Sequence, residues 1–296
     1  ESIWEVEFAG NRSTDVRAEG RIGNIIGIPG KDLSSKSSIT GKGDPGYAYA
    51  FIWSTPKLLE LYEANNDIDR CNWNIAPFTY TQSAGEGTPV DGREFVKGKR
   101  DEVEQQYWDK SFSYGKTNPG STYGDRESKN DANKNRNRAA AKYRREYEAD
   151  KKSKNDTSIN FPLLRYSDIL LMIAEAENEV NHGPNDLAYE CINAVRERAG
   201  ISKLQENLDE TNFREAIKDE RAMELCFEYT RRFDLIRWGD YYKLMQEQVS
   251  KAQTDESWKF GINVYTYFNI PKSYNYFPIP ANEIGSNGAI KTNNPG

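Results

Sequence analysis

The sequence has 296 residues, a length that suits one or two domains, and a formal net charge of −6. Acidic and basic residues are interspersed, which gives no overall attraction to nucleic acid or to an anionic membrane surface. The three cysteines form no CxxC pair and there is a single histidine, which excludes a Cys/His zinc site and Cys–His catalysis. No cofactor is expected, while the acidic loops leave a calcium site open.

Residues 1–160 are predicted to be mainly loops with a few short strands. Ile3–Phe8 alternates apolar and polar side chains like a short strand, and glycine, serine and proline recur as far as residue 54. A first helix is expected from Pro56, capped by Ser54 or Thr55, to about Asn65.

Residues 70–124 are expected to be loop and strand, and a basic segment follows at residues 126–154. This segment contains 11 Lys and Arg against 5 Asp and Glu, a balance that suits an anionic partner. Carboxylates between Glu146 and Asp150 interrupt it, and the whole chain is acidic. We therefore interpret it as a solvated loop and edge, with a helix favoured around Ala139–Tyr147.

Helical periodicity is clearest between residues 161 and 250. A helix over Leu164–Asn181 has one apolar face, formed by Ile169, Met172, Ile173 and Ala176. A second helix begins at Asp186, and Gly200 ends it.

Two more helices are predicted after residue 210. Asn212 and Glu215 have the spacing of a capping box at the start of the third helix, which should run through Phe227. The fourth helix should extend from Phe233 to Met245.

These elements predict a mainly α fold of tetratricopeptide-like helix pairs, decorated with long loops and a few short strands. The helix pairs occupy residues 161–250. Pro278 and Pro280 exclude a regular helix around them. Residues 251–296 are therefore expected to be an extended carboxy-terminal tail that packs on the helices.

Several blocks of the sequence follow the order seen in one known family. They are Leu61–Glu63, Asn66–Arg70, Leu164–Ala176, Ile192–Gly200, Ile217–Glu228, Arg231–Gly239, Phe277–Ile284 and Asn293–Gly296. Together they resemble the SusD/RagB family of SusD-like nutrient-binding outer-membrane lipoproteins. The resemblance runs from about Thr55 to the last residue, and it implies that the chain is the carboxy-terminal part of such a protein. The lipidated cysteine and the amino-terminal half of the family fold are expected to lie outside it.

The resemblance also implies a role. Family members lie on the outer face of the outer membrane, cap a SusC-like TonB-dependent transporter and bind oligosaccharides or polysaccharides for import. We therefore expect a surface-exposed protein that binds glycans without catalysis and has no nucleic-acid partner. Its only attachment to the membrane would be a lipid anchor outside this chain. Residues 1–160 are the expected glycan-facing segment.

A saccharide presents a flat face of C–H groups and a rim of hydroxyls, so its site needs exposed rings beside polar side chains. From Tyr47 to Trp53 every second residue is aromatic, which places these rings on one side of an extended segment that also contains Phe51. Further along, one tryptophan lies between two asparagines. The candidate carbohydrate-binding residues are Tyr47, Tyr49, Trp53, Asn72, Trp73 and Asn74. The two tryptophans are equally compatible with core packing.

Charged residues on the predicted helices allow two interpretations. Glu220, Glu224 and Glu228 are four residues apart and share a helix face. Two of them could act as acid and base in glycoside hydrolysis, but the nearby arginines favour an ion-paired interface. The predicted structural ion-pair residues are Arg165, Asp168, Glu175, Glu220, Arg221, Glu224, Arg232, Asp234 and Arg237. A tetratricopeptide-type scaffold that binds protein rather than glycan is a further alternative.

Replacing Glu224 with alanine should destabilise the fold rather than affect glycan binding alone. Removing one partner of a buried ion pair costs about 3–5 kcal/mol. The thermal melting temperature of Glu224→Ala should therefore lie well below that of the unmodified chain. A soluble variant with an unshifted melting curve would count against the structural interpretation.

Overall fold

A computed structural model describes residues 1–8, 20–27, 38–39, 48–49, 51–76, 139–145, 152–153, 156–254 and 268–294. The chain divides into two compact units, Glu1–Glu228 and Tyr229–Gly296. Helices make up most of the regular structure in the described residues. The predicted mainly α class, with a few short strands, is confirmed.

Among the described residues, small antiparallel sheets join distant parts of the first unit. The pairs are β1 (Ser2–Val6) with β6 (Phe161–Arg165), β2 (Ser38–Ile39) with β5 (Lys152–Ser153), and β3 (Ile75–Ala76) with β4 (Ala139–Ala140). The predicted amino-terminal strand is confirmed as β1. The helix favoured around Ala139 is wrong, because both alanines are buried in extended backbone that pairs with β3, and this pairing overrides their helix propensity.

Three short helices precede the main helical region. They are α1 (Ile22–Ile25), α2 (Pro56–Ala64) and α3 (Ile68–Asn74). α2 begins at Pro56 as predicted and stops at Asn65, and Asn66 then takes a positive φ of 51°. The side chain of Asp67 caps α3 by accepting the backbone N–H of Arg70 at 3.3 Å. The prediction of loop and strand from residue 70 is wrong here, because seven residues make too few turns for a periodic pattern to emerge.

The core of the first unit is built from three longer helices. They are α4 (Tyr166–Val180), α5 (Asp186–Arg198) and α6 (Glu210–Glu224). α5 starts where predicted, with Asn185 as its cap, and the chain leaves it through Gly200 at a φ of 77°. The predicted capping box at Asn212 is wrong, because Asp209 is the cap and accepts the Asn212 N–H at 2.8 Å.

α4 packs against both α5 and α6. The buried side chains between them belong to one apolar cluster. Its members are Leu171, Ala174, Ala188, Cys191, Ile192, Val195, Phe213 and Ile217. Such a cluster excludes water from the faces of all three helices and fixes their spacing.

α6 ends earlier than the sequence predicts. It stops at Glu224, and Phe227 has a φ of 64°, which a helix cannot contain. The last carbonyls of α6 find partners elsewhere. The Tyr62 hydroxyl donates to the Met223 carbonyl at 2.7 Å, and Lys142 donates to the Glu224 carbonyl, also at 2.7 Å. Because these two carbonyls accept hydrogen bonds from side chains, the helix can end at Glu224 without leaving them unsatisfied.

The second unit contains α7 (Arg231–Arg237), α8 (Tyr241–Thr254), a 3₁₀ turn (Lys272–Asn275) and α9 (Ala281–Ser286). The single fourth helix predicted from Phe233 to Met245 is therefore two helices. Gly239, at a φ of 78°, separates them in a turn that satisfies the final carbonyls of α7.

The tail is extended only around its prolines. Residues 277–280 form no helix, but α9 begins directly after Pro280, which corrects the fully extended tail that the sequence predicts. Two asparagines hold the extended part: Asn293 accepts the Ile279 N–H at 2.7 Å, and Asn294 donates to the Phe277 carbonyl at 2.7 Å. Within the described residues, none of the helices combines the length and apolar character needed to cross a membrane.

Two neighbouring residues of α4 test this packing. Leu171 is fully buried in the apolar cluster, whereas Met172 is 43% exposed. The predicted apolar face through Met172 and Ala176 is therefore wrong, and the helix starts at Tyr166 rather than Leu164 because Phe161–Arg165 pairs with β1. Leu171→Ala should lower the free energy of unfolding by about 2–5 kcal/mol, and Met172→Ala by less than about 1 kcal/mol. Urea denaturation followed by circular dichroism measures both. Equal losses would mean that α4 packs through a different face.

Candidate functional site

One of the predicted binding residues, Tyr49, lies beside the exposed ring of Phe51. The rings of Tyr49 and Phe51 stack with centroids 5.1 Å apart and planes 21° from parallel. Tyr49 is half-buried and Phe51 is 70% exposed, so the pair presents an aromatic surface to solvent. We call Tyr49 and Phe51 the ring pair. Tyr47 lies outside the described residues.

The backbone beneath the ring pair is anchored to α1. The Tyr49 N–H donates to the Asn24 carbonyl at 2.7 Å, and the Phe51 N–H donates to the Ile25 carbonyl at 3.0 Å. Gly27 permits this close approach, because a Cβ there would lie 2.7 Å from the Cβ of Ala48 and 2.5 Å from the Gly23 carbonyl. The exposed rings are therefore held by fixed backbone.

Trp73 is positioned by an arginine that the sequence prediction does not single out. It lies half-buried on α3, with the guanidinium of Arg144 4.6 Å from its ring centroid. Arg144 is itself buried and donates to the carbonyl of Asn72. This arrangement corrects the interpretation of the basic segment as a solvated loop for its central residues 139–145, most of which are buried. The signal available in the sequence was a run of three alanines followed closely by two adjacent arginines, which indicates a buried segment that carries charges.

Trp53 and Asn74 have more internal positions. Trp53 is half-buried and forms an isolated bridge with Ala139 of β4. Asn74 is 3% exposed, and its amide donates to the Tyr62 hydroxyl at 2.8 Å and to the Met223 carbonyl at 3.3 Å. The structure thus brings Tyr49 and Phe51 together and holds Asn72 and Trp73 on α3, but it uses the Asn74 side chain inside the protein.

Glu224 is the centre of a buried ion-pair network. Arg70 lies 3.1 Å from one of its carboxylate oxygens, while Arg165 at 3.0 Å and Arg198 at 2.5 Å share the other. Arg165 also pairs with Glu228 at 2.8 Å. Four elements that are far apart in the sequence, namely α3, β6, α5 and α6, therefore meet at one carboxylate.

Glu220 repeats this arrangement one turn earlier on α6. It is fully buried and binds Arg70 at 2.7 Å and Arg196 at 2.9 Å, one on each oxygen. Arg70 also pairs with Asp67 at 2.5 Å. We call Asp67, Arg70, Arg165, Arg196, Arg198, Glu220, Glu224 and Glu228 the charge network.

The other predicted ion-pair residues lie apart from it. Asp168 of α4 pairs with Arg221 of α6 at 2.8 Å, with both side chains buried. In the second unit, Asp234 pairs with Arg237 at 3.0 Å. Glu175 is half-buried on α4. Arg232 is different, because its guanidinium lies over aromatic rings and has no carboxylate partner among the described residues.

The network sets the protonation of its carboxylates. Burial opposes the charge of Glu224, but Lys142, Arg165, Arg198 and Arg70 outweigh it and lower its pKa from 4.5 to about 2. At Glu220 burial outweighs the two arginines and raises the pKa. Within the described residues, no three His, Cys, Asp or Glu side chains are arranged to hold a metal ion.

These features describe a mainly α protein with an exposed aromatic surface on a frame locked by buried ion pairs. The SusD family model matches residues 1–296. The chain therefore belongs to the SusD family, and the resemblance seen in its sequence blocks is confirmed.

Individual relatives agree with this assignment. SusD-like protein P25 from Formosa agariphila is 38% identical over 136 residues, which are 45% of this chain and 23% of that protein. SusD-like protein P2 from the same organism is 30% identical over 148 residues, which are 48% of this chain and 26% of that protein. The crystal structure of a SusD homolog from Bacteroides thetaiotaomicron has a TM-score of 0.69 and 28% identity, and covers 99% of this chain. The chain spans 51% of that homolog's length.

The low pKa of Glu224 makes stability depend on acidity. Its folded-state pKa of about 2 lies below the ordinary 4.5, so the stabilisation is complete above pH 4.5 and disappears as the pH falls towards 2. The loss at this residue should be about 3 kcal/mol. Urea unfolding at several pH values measures it.

Glu224→Gln is the matched variant for this test, since it keeps the shape of the side chain and removes its titration. Its free energy of unfolding should fall less between pH 5 and pH 2.5 than that of the unmodified chain. If the variant is too unstable to measure, the carboxyl ¹³C shift of Glu224 gives its pKa directly. Identical pH profiles, or a normal titration near 4.5, would contradict the network.

Proposed function

We propose that this chain binds oligosaccharides or polysaccharides at the cell surface and delivers them to a SusC-like TonB-dependent transporter in the outer membrane. Membership of the SusD family supports this role, as does the resemblance on which the sequence prediction rests. The attachment to the membrane would be a lipid anchor outside this chain. In this proposal residues 1–160 supply the glycan-facing part, residues 161–250 the helical frame and residues 251–296 its tail.

The ring pair is the observation that carries the proposal. Two nearly parallel rings at 5.1 Å offer a continuous apolar surface, and the outer ring is mostly exposed. A pyranose can lay its C–H face on such a surface, with a gain of about 25 cal/mol for each Å² of apolar area removed from water. Because the backbone of both residues is already fixed by hydrogen bonds to α1, little conformational entropy is lost on binding.

The state of two buried carboxylates supports a role in binding without catalysis. A general acid must hold a proton near the working pH and must reach the glycosidic oxygen. Glu224 has a pKa of about 2 and is ionised at neutral pH, and Glu220 is fully buried between two arginines. Neither residue fits the acid of a glycoside hydrolase, so we interpret both as structural.

The ring pair can be tested by replacing both rings. Tyr49→Ala/Phe51→Ala should weaken binding to a soluble polysaccharide by about tenfold or more, because each ring contributes on the order of 1 kcal/mol. Native affinity electrophoresis against a panel of plant and algal polysaccharides identifies a ligand, and calorimetry with its oligosaccharides gives the dissociation constants. The melting temperature should change little, because Phe51 is exposed.

Tyr166→Ala is the control, since Tyr166 is an exposed aromatic residue of the same unit outside the ring pair. It should bind like the unmodified chain. Equal losses in both variants, or none in the double variant, would overturn the assigned site. Release of reducing ends from a bound polysaccharide would instead favour an enzyme. Binding of peptides but of no saccharide would favour the scaffold alternative.

A further inference from the structure

The second unit differs from the first in charge and in aromatic content. Residues 229–296 contain eight Lys and Arg against six Asp and Glu, which leaves a net charge of −8 on residues 1–228. The same 68 residues contain 13 of the 36 aromatic residues of the chain. A cationic, ring-rich unit within an acidic protein suits a ligand that is both flat and negatively charged.

One part of this unit combines exposed rings with a cation. Phe233 of α7 and Phe277 of the tail are 58% and 54% exposed, and their rings stack at 6.1 Å and 29°. The guanidinium of Arg232 lies 4.8 Å from the Phe277 centroid and 5.3 Å from that of Tyr241. We call Arg232, Phe233, Tyr241 and Phe277 the arginine–ring cluster.

Contacts of the backbone hold two members of the cluster in place. Asn294 fixes the backbone of Phe277 through its carbonyl, and Tyr241 begins α8. A guanidinium stacked on rings keeps its N–H groups directed outward in its own plane. These donors match the two oxygens of a carboxylate or the oxygens of a sulfate.

Arg232 differs from other described arginines, because it has no carboxylate partner in the part of the chain that the structure describes. Arg165 and Arg221 bind carboxylates at 2.8 Å, and Arg237, on the same helix as Arg232, binds Asp234 at 3.0 Å. Arg232 is exposed and has no such contact within the described ranges. Among the residues that the structure describes, no carboxylate neutralises its charge.

We propose that the arginine–ring cluster is a second saccharide-binding site, separate from the ring pair, and that it takes acidic oligosaccharides. The C–H face of a sugar would lie on Phe233 and Phe277, and its carboxylate or sulfate would accept hydrogen bonds from Arg232. The two anionic groups share the same recognition, and neutral sugars lack the group that Arg232 binds.

Calorimetry with the 296-residue chain tests this site in the Tyr49→Ala/Phe51→Ala background, which removes the contribution of the ring pair. The probes are hexagalacturonate, which carries carboxylates only, a κ-carrageenan hexasaccharide, which carries sulfates only, neutral maltohexaose and hexaglutamate. One or both acidic saccharides should bind, maltohexaose should not, and hexaglutamate should bind at least about tenfold more weakly, because it offers charge without a flat sugar face. Comparison of the first two probes separates carboxylate from sulfate.

Arg232→Gln should then weaken acidic saccharide binding by about tenfold or more, the loss expected for a hydrogen bond to a charged group. Phe233→Ala should also weaken it, and both positions are exposed, so folding should be preserved. Lys251→Gln removes the same charge ten residues along α8 from Tyr241, about 15 Å away, and should change binding less than twofold.

Equal losses in Arg232→Gln and Lys251→Gln, or equal binding of hexaglutamate, would reduce the effect to general charge attraction and overturn the site. Absence of binding by either acidic saccharide would overturn it as well. The proposed function would stand in both cases, because it rests on the ring pair and is tested in a separate variant.

Discussion

The first unit depends on two carboxylates that are buried on one face of α6. Glu220 and Glu224 bind arginines from α3, β6 and α5, and Arg70 joins the two carboxylates across about 150 residues of sequence. Transferring these charges from water costs several kcal/mol for each ion, and only a complete set of partners restores it. The elements must therefore assemble together, in one register, or not at all. Apolar packing between α4, α5 and α6 supplies the favourable free energy of burial. The charge network determines how the helices are arranged when that burial occurs.

A frame fixed in this way allows exposed rings to be displayed. Burying the Phe51 ring would be favourable by itself, so its exposed position reflects the backbone that is anchored to α1. The same principle applies within the second unit, where Asn294 and the start of α8 fix the rings around Arg232. In both units rigid backbone presents aromatic surface, which is the arrangement that saccharide recognition requires.

The sequence predicts elements well where a local pattern determines them. The existence of α4 and α5, the proline that begins α2 and the glycine after α5 are predicted by local signals, and each appears in the structure. The face of α4 is not, because Leu171 and Ala174 are buried where the pattern favours Met172 and Ala176. Sequence patterns fail to predict the type or the end of an element where contacts with distant residues determine it. α6 stops at Glu224 because Tyr62 and Lys142 satisfy its carbonyls, and Ala139–Ala140 is extended because it pairs with β3.

The acidic residues of the charge network are visible as an i, i+4 row, but Arg70 and Arg198 are not identifiable as their partners without the fold. For the same reason Asn74, an amide beside a tryptophan, could not be distinguished from a surface residue.

The central claim is that the charge network holds a frame from which the ring pair contacts a saccharide. Aromatic ¹³C NMR spectra of the chain, recorded during titration with an oligosaccharide ligand, test it most directly because every ring reports its own environment. The account predicts large shifts at Tyr49 and Phe51 and none at the buried rings of Tyr62 and Phe213. A saturable titration that leaves the ring pair unchanged would contradict it.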